Sequence, residues 1–232
     1  MTSFDTGPTD ADRDDGGRDD ALRAAADTMR AVRDRCVWTQ QIDHRALVPY
    51  LVEEAAELVD AVEAGSRDDL REELGDLLWQ VLFHAEIASR DAEDPFDIDD
   101  VARDLTDKMV RRHPHVFGGA TATTPEEVLV HWNAAKAAEK HTRTSVLDGV
   151  SHHMPSLALA QKMLGKAAAV GVPAPADVAA PAAPSDEAEL GDALLALVAT
   201  ARAGGWDAER ALRERLRSLE AEIRETEHPP TT

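Results

Sequence analysis

Glu53-Glu54-Ala55-Ala56-Glu57, then fifteen residues, then Glu73-Leu74-Gly75-Asp76, is the stretch that decides how this chain folds. Both acidic clusters sit among apolar residues at helical spacing. Leu51, Ala55, Leu58 and Val62 surround the first, and Leu70, Leu74, Leu77, Leu78 and Val81 the second. At about 100° per residue, Glu54 and Glu57 fall about 60° apart, one turn along the same helical face. Glu73 and Asp76 repeat that spacing. Antiparallel packing of the two helices would gather the four acidic side chains around one point. Carboxylates held that close repel one another and shift their pKa values unless a cation neutralises them. An oxygen-only ligand set suits Mg²⁺ or Mn²⁺, hard ions that keep waters and bind phosphates. A single Glu-x-x-Glu is more often a solvated face. Two such pairs joined by a short hairpin favour a site.

The hairpin has its own signals. Gly65 follows the first apolar run and is expected to stop the helix in the left-handed conformation. Ser66-Arg67-Asp68-Asp69 supplies an N-cap with an acidic residue three positions on. A connection this short makes antiparallel neighbours of the helices it joins.

At 232 residues the chain can hold one ordinary domain and a smaller one. Its net charge of −20 repels nucleic-acid polymers and anionic membranes, so neither is expected as a partner. A phosphorylated small molecule is still compatible, provided metal and local Lys or Arg reverse the field at the site. The single cysteine, Cys36, excludes an intrachain disulfide and fits a reducing compartment. No apolar run has the length of a membrane span, and the acidic N-terminus lacks the apolar core of a signal peptide, so a cytoplasmic protein is expected. Ala, Leu, Glu, Asp and Arg dominate while aromatic and β-branched runs are scarce, which predicts an all-α fold.

Residues 1–19 have almost nothing to bury and read as a disordered acidic tail. A first helix is expected from near Asp20 through Leu22, Met29 and Val32, followed by a structured loop from Cys36 to Val48. The second acidic helix should run to about Ser89. After the break at Asp94-Pro95-Phe96-Asp97, Ile98, Val101, Leu105 and Met109 mark a helix to about Arg112. His113-Pro114-His115-Val116-Phe117-Gly118-Gly119 should end it. Thr124 as N-cap and Pro125 at the first helical position open another helix, which carries Trp132 and Lys136. The composition turns to Pro and Ala over residues 172–185, an extended linker. Beyond it Glu189-Leu190-Gly191-Asp192 echoes Glu73-Leu74-Gly75-Asp76 without a facing Glu-Glu-x-x-Glu helix. One acidic pair cannot close a metal site, so this copy reads as a degenerate duplicate kept for packing.

The ordered set of Trp38 to Tyr50, Glu53-Glu54-x-x-Glu57, Glu73-Leu-Gly-Asp76, Lys108-x-x-Arg111-Arg112-His113-Pro114-His115-Val116-Phe117 and Trp132-x-x-x-Lys136 resembles the MazG family. These are nucleoside triphosphate pyrophosphohydrolases of the all-α NTP pyrophosphatase superfamily. The resemblance is dense over about residues 21–150 and weak beyond. It implies a MazG catalytic domain over 20–150, a degenerate MazG-like segment over 151–232, and a helical bundle that forms a homodimer. The implied reaction is Mg²⁺-dependent hydrolysis of nucleoside triphosphates to monophosphate and pyrophosphate, with Mn²⁺ as a substitute and nucleotide-pool house-cleaning as its setting. Carried over position by position, the metal ligands are Glu54, Glu57, Glu73 and Asp76. Glu53 becomes an outer carboxylate that orients or deprotonates the attacking water alongside Glu54. The family's Cys-Pro-Trp-Asp and Gln-Thr-His stand here as Cys36-Val37-Trp38-Thr39 and Ile42-Asp43-His44, departures that spare the carboxylates but bear on base selectivity.

Physical chemistry gives the remaining candidates their roles. Lys108 and Arg112 lie four apart on one helical face and can meet a polyphosphate from the same side. Without the acidic quartet they would read as cations at a helix C-terminus. Arg111 lies about 100° round and serves structure or a dimer partner. Trp132 either stacks on a base or ribose or belongs to the core, with Lys136 one turn on reaching phosphate. Trp38 and His44 are candidate nucleoside contacts against a packing alternative. His113 and His115 favour a structural role, because hard-ion sites prefer oxygen. The competing functions are a diphosphatase acting on dUTP, dCTP or a modified nucleotide, and a non-catalytic regulatory helical module. A di-iron bundle needs two Glu-x-x-His motifs, and only Glu225 to His228 offers one.

Overall fold

The computed structural model describes residues 20–139, 144–173 and 184–227. The tail expected over 1–19 and most of the linker expected over 172–185 lie outside the described residues. Among the described residues the regular secondary structure is helical throughout, so the fold is all-α. The chain divides into two compact units, Met1–Lys136 and Ala137–Thr232.

In the first unit α1 (Ala21–Arg35) leads through a 3₁₀ turn at Thr39–Gln41 into α2 (His44–Ala64) and α3 (Arg67–Ala88), the antiparallel hairpin that carries the acidic pairs. Next come α4 (Ile98–Arg112), the single turn α5 (Pro114–Phe117) and α6 (Pro125–Glu139). The segment 36–48 is not all loop, as the sequence suggested. Asp43 caps a helix that already starts at His44, its side chain accepting from the Ala46 amide at 2.7 Å, and Pro49 is carried inside that helix. The cap supplies an acceptor for an amide that has no intrahelical partner, and this fixes the start despite the proline downstream.

The capping box at the head of α3 is formed as expected. Ser66 Oγ accepts from the Asp69 amide at 3.2 Å while Asp69 accepts from the Ser66 amide at 2.7 Å. A second box, Asp97 with Asp100, opens α4. Gly65 ends α2 for a different reason from the one expected. Its φ is −85°, in ordinary extended territory, but a Cβ there would sit 2.7 Å from Ala61 Cα and 2.9 Å from Ala61 O. The chain turns so closely over the last helical turn that only hydrogen fits. Gly65→Ala should therefore cost about 1–3 kcal/mol by overpacking against backbone, read as a lowered urea midpoint at unchanged slope.

The core sits where α1, α2 and α3 meet. Met29, Leu47 and Phe83 are almost fully buried, with Ala26 and Leu82 beside them and Leu78, Trp79, Ile87 and Ile98 packed around. Polar groups at its edge are matched. Buried Arg33 donates to Ile42 O at 2.9 Å with its guanidinium 5.8 Å from the Phe83 ring centroid. Arg90 joins Glu86, buried on α3, to Asp34 on α1 at 2.6 and 2.7 Å. An ion pair between Arg23 and Asp99 ties α1 to α4. The contacts at Phe83 and Glu86 anchor the C-terminal half of α3 against α1.

The second unit packs α7 (Ser156–Ala169) on α8 (Glu187–Ala203) and α9 (Ala208–Glu227), with Leu164 and Val198 buried between them. Gly205, at φ 73°, supplies the left-handed residue after α8.

Candidate active site

Facing turns of α2 and α3 bring Glu54, Glu57 and Glu73 together, each offering a carboxylate oxygen within 4.8 Å of the others. Glu54 and Glu73 are half-buried and Glu57 is exposed. The Glu73 Oε2 atom is buried and finds no hydrogen-bond partner among the described residues. A carboxylate oxygen in that state loses its hydration and gains nothing from the protein, which is costly unless a ligand completes it.

Both half-buried carboxyls are held above the ordinary glutamate range. Burial is the leading cause for Glu54, followed by the charges of Asp76, Glu57, Glu73 and Glu53. Burial also leads for Glu73, followed by Glu57, Asp76, Glu72 and Asp69. Asp76 is exposed and stands outside the closest triad, yet its charge is felt by both glutamates. Glu53 is exposed beside them. Toward the hairpin end, Glu57, Asp60, Asp69 and Glu73 line an open cleft of about 360 Å³. An all-oxygen donor set, mutual repulsion and an orphaned buried oxygen together fit a hard divalent cation.

The other sequence candidates fall into separate groups. On α4, Lys108 is half-buried, Arg111 is exposed and Arg112 is buried, so the two arginines take opposite environments. The Arg112 guanidinium lies 4.9 Å from the Trp132 ring centroid, and the His113 ring meets Trp132 edge-on at 5.3 Å. Arg112 and Trp132 thus act on each other directly, a cation–π contact of about 1–2 kcal/mol when desolvated. Lys136 follows one turn along α6, half-buried. His115 lies between His113, at 5.6 Å, and His131, at 6.1 Å.

Trp38 is half-exposed with its edge against Tyr50 at 6.0 Å. His44 stacks on His84 at 5.1 Å, with the two Nδ1 atoms at a hydrogen-bonding distance of 2.8 Å. Burial and the neighbouring His44 hold His84 below the ordinary histidine range. Gln80 and His84 were not among the residues the sequence singled out. The signal was present, since Glu73, Gln80 and His84 return to one helical face at steps of seven and four.

In the second unit the echoed acids are used differently. Glu189 accepts from the amide and hydroxyl of Ser185 at 2.8 and 2.9 Å, bonds that hold its carboxyl below the ordinary range. It closes the start of α8, and Asp192 is exposed. Among the described residues no second group of three ligating side chains forms around them. No helix among the described residues is long and apolar enough to cross a membrane.

Residues 42–117 match the MazG nucleotide pyrophosphohydrolase domain. The chain is 34% identical over 229 residues to a nucleoside triphosphate pyrophosphohydrolase of Escherichia coli K12, covering 90% of this chain and 86% of that one. It is 48% identical over 160 residues to a protein of the same name from Mycobacterium tuberculosis, covering 69% of this chain and 49% of that one. A 26.1 kDa protein from the blaB 3′ region of Streptomyces cacaoi is 47% identical over 192 residues, 83% of this chain and 76% of that one. The chain thus spans most of the E. coli and Streptomyces relatives and about half of the mycobacterial one. By its matched domain and by these relatives, the chain belongs to the MazG nucleotide pyrophosphohydrolase family.

Proposed function

We propose that the first unit hydrolyses nucleoside triphosphates to monophosphate and pyrophosphate with Mg²⁺ held by Glu54, Glu57, Glu73 and Asp76. The observation that carries this reading is the carboxylate triad with a buried, unpartnered Glu73 oxygen. Water adds to the α-phosphorus, the bond from that phosphorus to the oxygen bridging to the β-phosphate breaks, and the electron pair leaves on pyrophosphate. The proton lost by the water passes to a carboxylate, a role we assign to exposed Glu53, whose charge is felt by Glu54. The cation would neutralise charge on the phosphoryl oxygens and make the water more acidic. Lys108 supplies a mobile point charge to the polyphosphate. Arg112, held against Trp132, supplies a fixed one.

Val52, Val62, Leu74 and Val81 leave apolar surface exposed on α2 and α3, which supports a second copy of the chain as partner. The helix-closing use of Glu189 supports a second unit that keeps its acids for structure. Asp192→Asn should accordingly leave turnover unchanged, and a large loss in the same assay would show that the second unit takes part in the chemistry.

Pyrophosphate release from a panel of canonical and oxidised NTPs and dNTPs tests the proposal. Turnover should stop when divalent metal is stripped, and return with Mg²⁺ or Mn²⁺ more fully than with Ca²⁺. Release of orthophosphate, or metal-independent turnover, would overturn it.

A further inference from the structure

Along α9, Leu212, Leu216, Leu219 and Ile223 recur at steps of four, three and four. At about 100° per residue all four fall within about 60° of one helical face. This is the spacing of the apolar seam in a two-stranded coiled coil. The four side chains are 41% to 53% exposed, although α9 packs on α7 and α8. Among its described residues the half-buried ones are Ala208, Glu209, Arg213 and Arg217. The helix thus shelters charged side chains and leaves its leucines in water, the reverse of what apolar burial favours.

The charges beside the seam are arranged to meet a copy of themselves. Arg213 and Arg215 flank its first half, and Glu220 and Glu222 its second. Two α9 helices laid antiparallel, with the twofold axis between Arg217 and Ser218, set Leu216 of one copy against Leu219 of the other. Leu212 then meets Ile223. In that register each Arg215 faces a Glu222 and each Arg213 a Glu220, so every flanking arginine finds a glutamate. Within one copy Arg215 already reaches Glu222 at 3.2 Å, with both side chains well exposed. An ion pair so exposed contributes little where it stands and is readily exchanged for the same pair across a seam. A chain of net charge −20 repels its copies over most of its surface, and a self-complementary strip overcomes that locally.

We infer that α9 is a self-pairing surface, on whose leucine seam a second copy of this chain docks antiparallel. The inference is independent of the triphosphate reading and of the apolar surface on α2 and α3. It gives the second unit, whose acids serve structure, a task of its own: holding two copies together.

The test mixes two variants of the full chain, each with one exposed charge on the same flank reversed. In Arg215→Glu, an antiparallel pair of identical copies sets glutamate against glutamate. In Glu222→Arg it sets arginine against arginine. A mixed pair restores both attractions. One variant is labelled with ¹⁵N, the two are equilibrated, and native mass spectrometry resolves the dimers by mass. Mixed dimers should exceed about four-fifths of all dimers, the scale of four exposed attractions in place of four repulsions, against one half by chance. Contacts elsewhere between copies do not bias this ratio. Adding Leu216→Ser and Leu219→Ser to both variants should return the mixture to one half. All four substituted side chains are exposed, so helical circular dichroism should be kept.

A chance mixture from the two helical charge variants would overturn the inference. The seam would then lie against another part of the chain, or against a parallel copy in which Arg215 and Glu222 do not meet. An excess of mixed dimers that survives loss of both leucines would overturn it too, because the seam would not be what joins the copies. So would a wild-type chain that stays monomeric throughout.

Discussion

Glu73→Gln should abolish pyrophosphate release, by more than about 100-fold, and at the same time raise the melting temperature of the metal-free protein. The loss follows from removing a donor at the centre of the triad; even partners one shell further from a metal are worth about 10–100-fold. The gain follows from the same geometry. Without a cation the buried oxygen of Glu73 is unpaired and faces like charges on Glu54, Glu57 and Asp76. Neutralising it removes the charge repulsion while the amide still places a polar atom there, and about 1–3 °C is the expected scale. Adding Mg²⁺ at 100 times its dissociation constant should stabilise wild type by about 2.7 kcal/mol and the variant hardly at all.

The pH dependence has a definite sign. Burial first, and then the neighbouring carboxylates, hold Glu54 and Glu73 above the ordinary glutamate range. In the window just above that range the folded state keeps protons that the unfolded state has lost. This contribution to stability is present at low pH and is lost as pH rises through the raised values. Asp69, Asp99, Asp100 and Glu127 shift the opposite way, chiefly through hydrogen bonds. The readable quantity is therefore the gap between Glu73→Gln and wild type, which should widen as pH rises through that window. A metal-free variant that melts below wild type at neutral pH would mean that Glu73 is bonded within the fold.

Phe83→Ala should be the most damaging change to the fold, at about 3–5 kcal/mol. Phe83 is 2% exposed and sits with Met29, Leu47 and Leu82 where three helices meet, with the Arg33 guanidinium near its ring. Its removal opens a cavity at the point that holds α3 against α2. Total stability of a small domain is about 5–15 kcal/mol, so the variant should be only marginally folded near 25 °C. Because Phe83 belongs to the apolar core cluster and not to the carboxylate triad, its effect on activity should follow the folded fraction measured by circular dichroism. Full activity from a normally melting variant would show that the core lies elsewhere.

The local elements were legible in the sequence because local chemistry encodes them. Ile98–Arg112 appears with the boundaries its apolar stripe predicts, and Ser66 with Asp69 forms the box their spacing promises. The carboxylate triad was legible for the same reason, as two helical repeats and one short turn carry it. Gly65 was placed correctly and explained wrongly: a stop signal is local, whereas the approach of its backbone to Ala61 depends on how the chain leaves the turn. Arg112 and Trp132 were each marked as substrate contacts, but their mutual contact spans twenty residues and two helices, beyond what spacing within either helix can report. His44 with His84, and the buried Gln80 between that pair and the acids, were hidden by distance along the chain.

Whether α2 and α3 fold their acids into a cage for one class of ion is tested most directly by a Mn²⁺ titration followed by electron paramagnetic resonance. Wild type should deplete the free Mn²⁺ signal at a saturable site from which Mg²⁺ displaces the ion, and Glu54→Gln should lose that site while keeping its helical circular dichroism. Undiminished Mn²⁺ binding in folded Glu54→Gln would contradict the account.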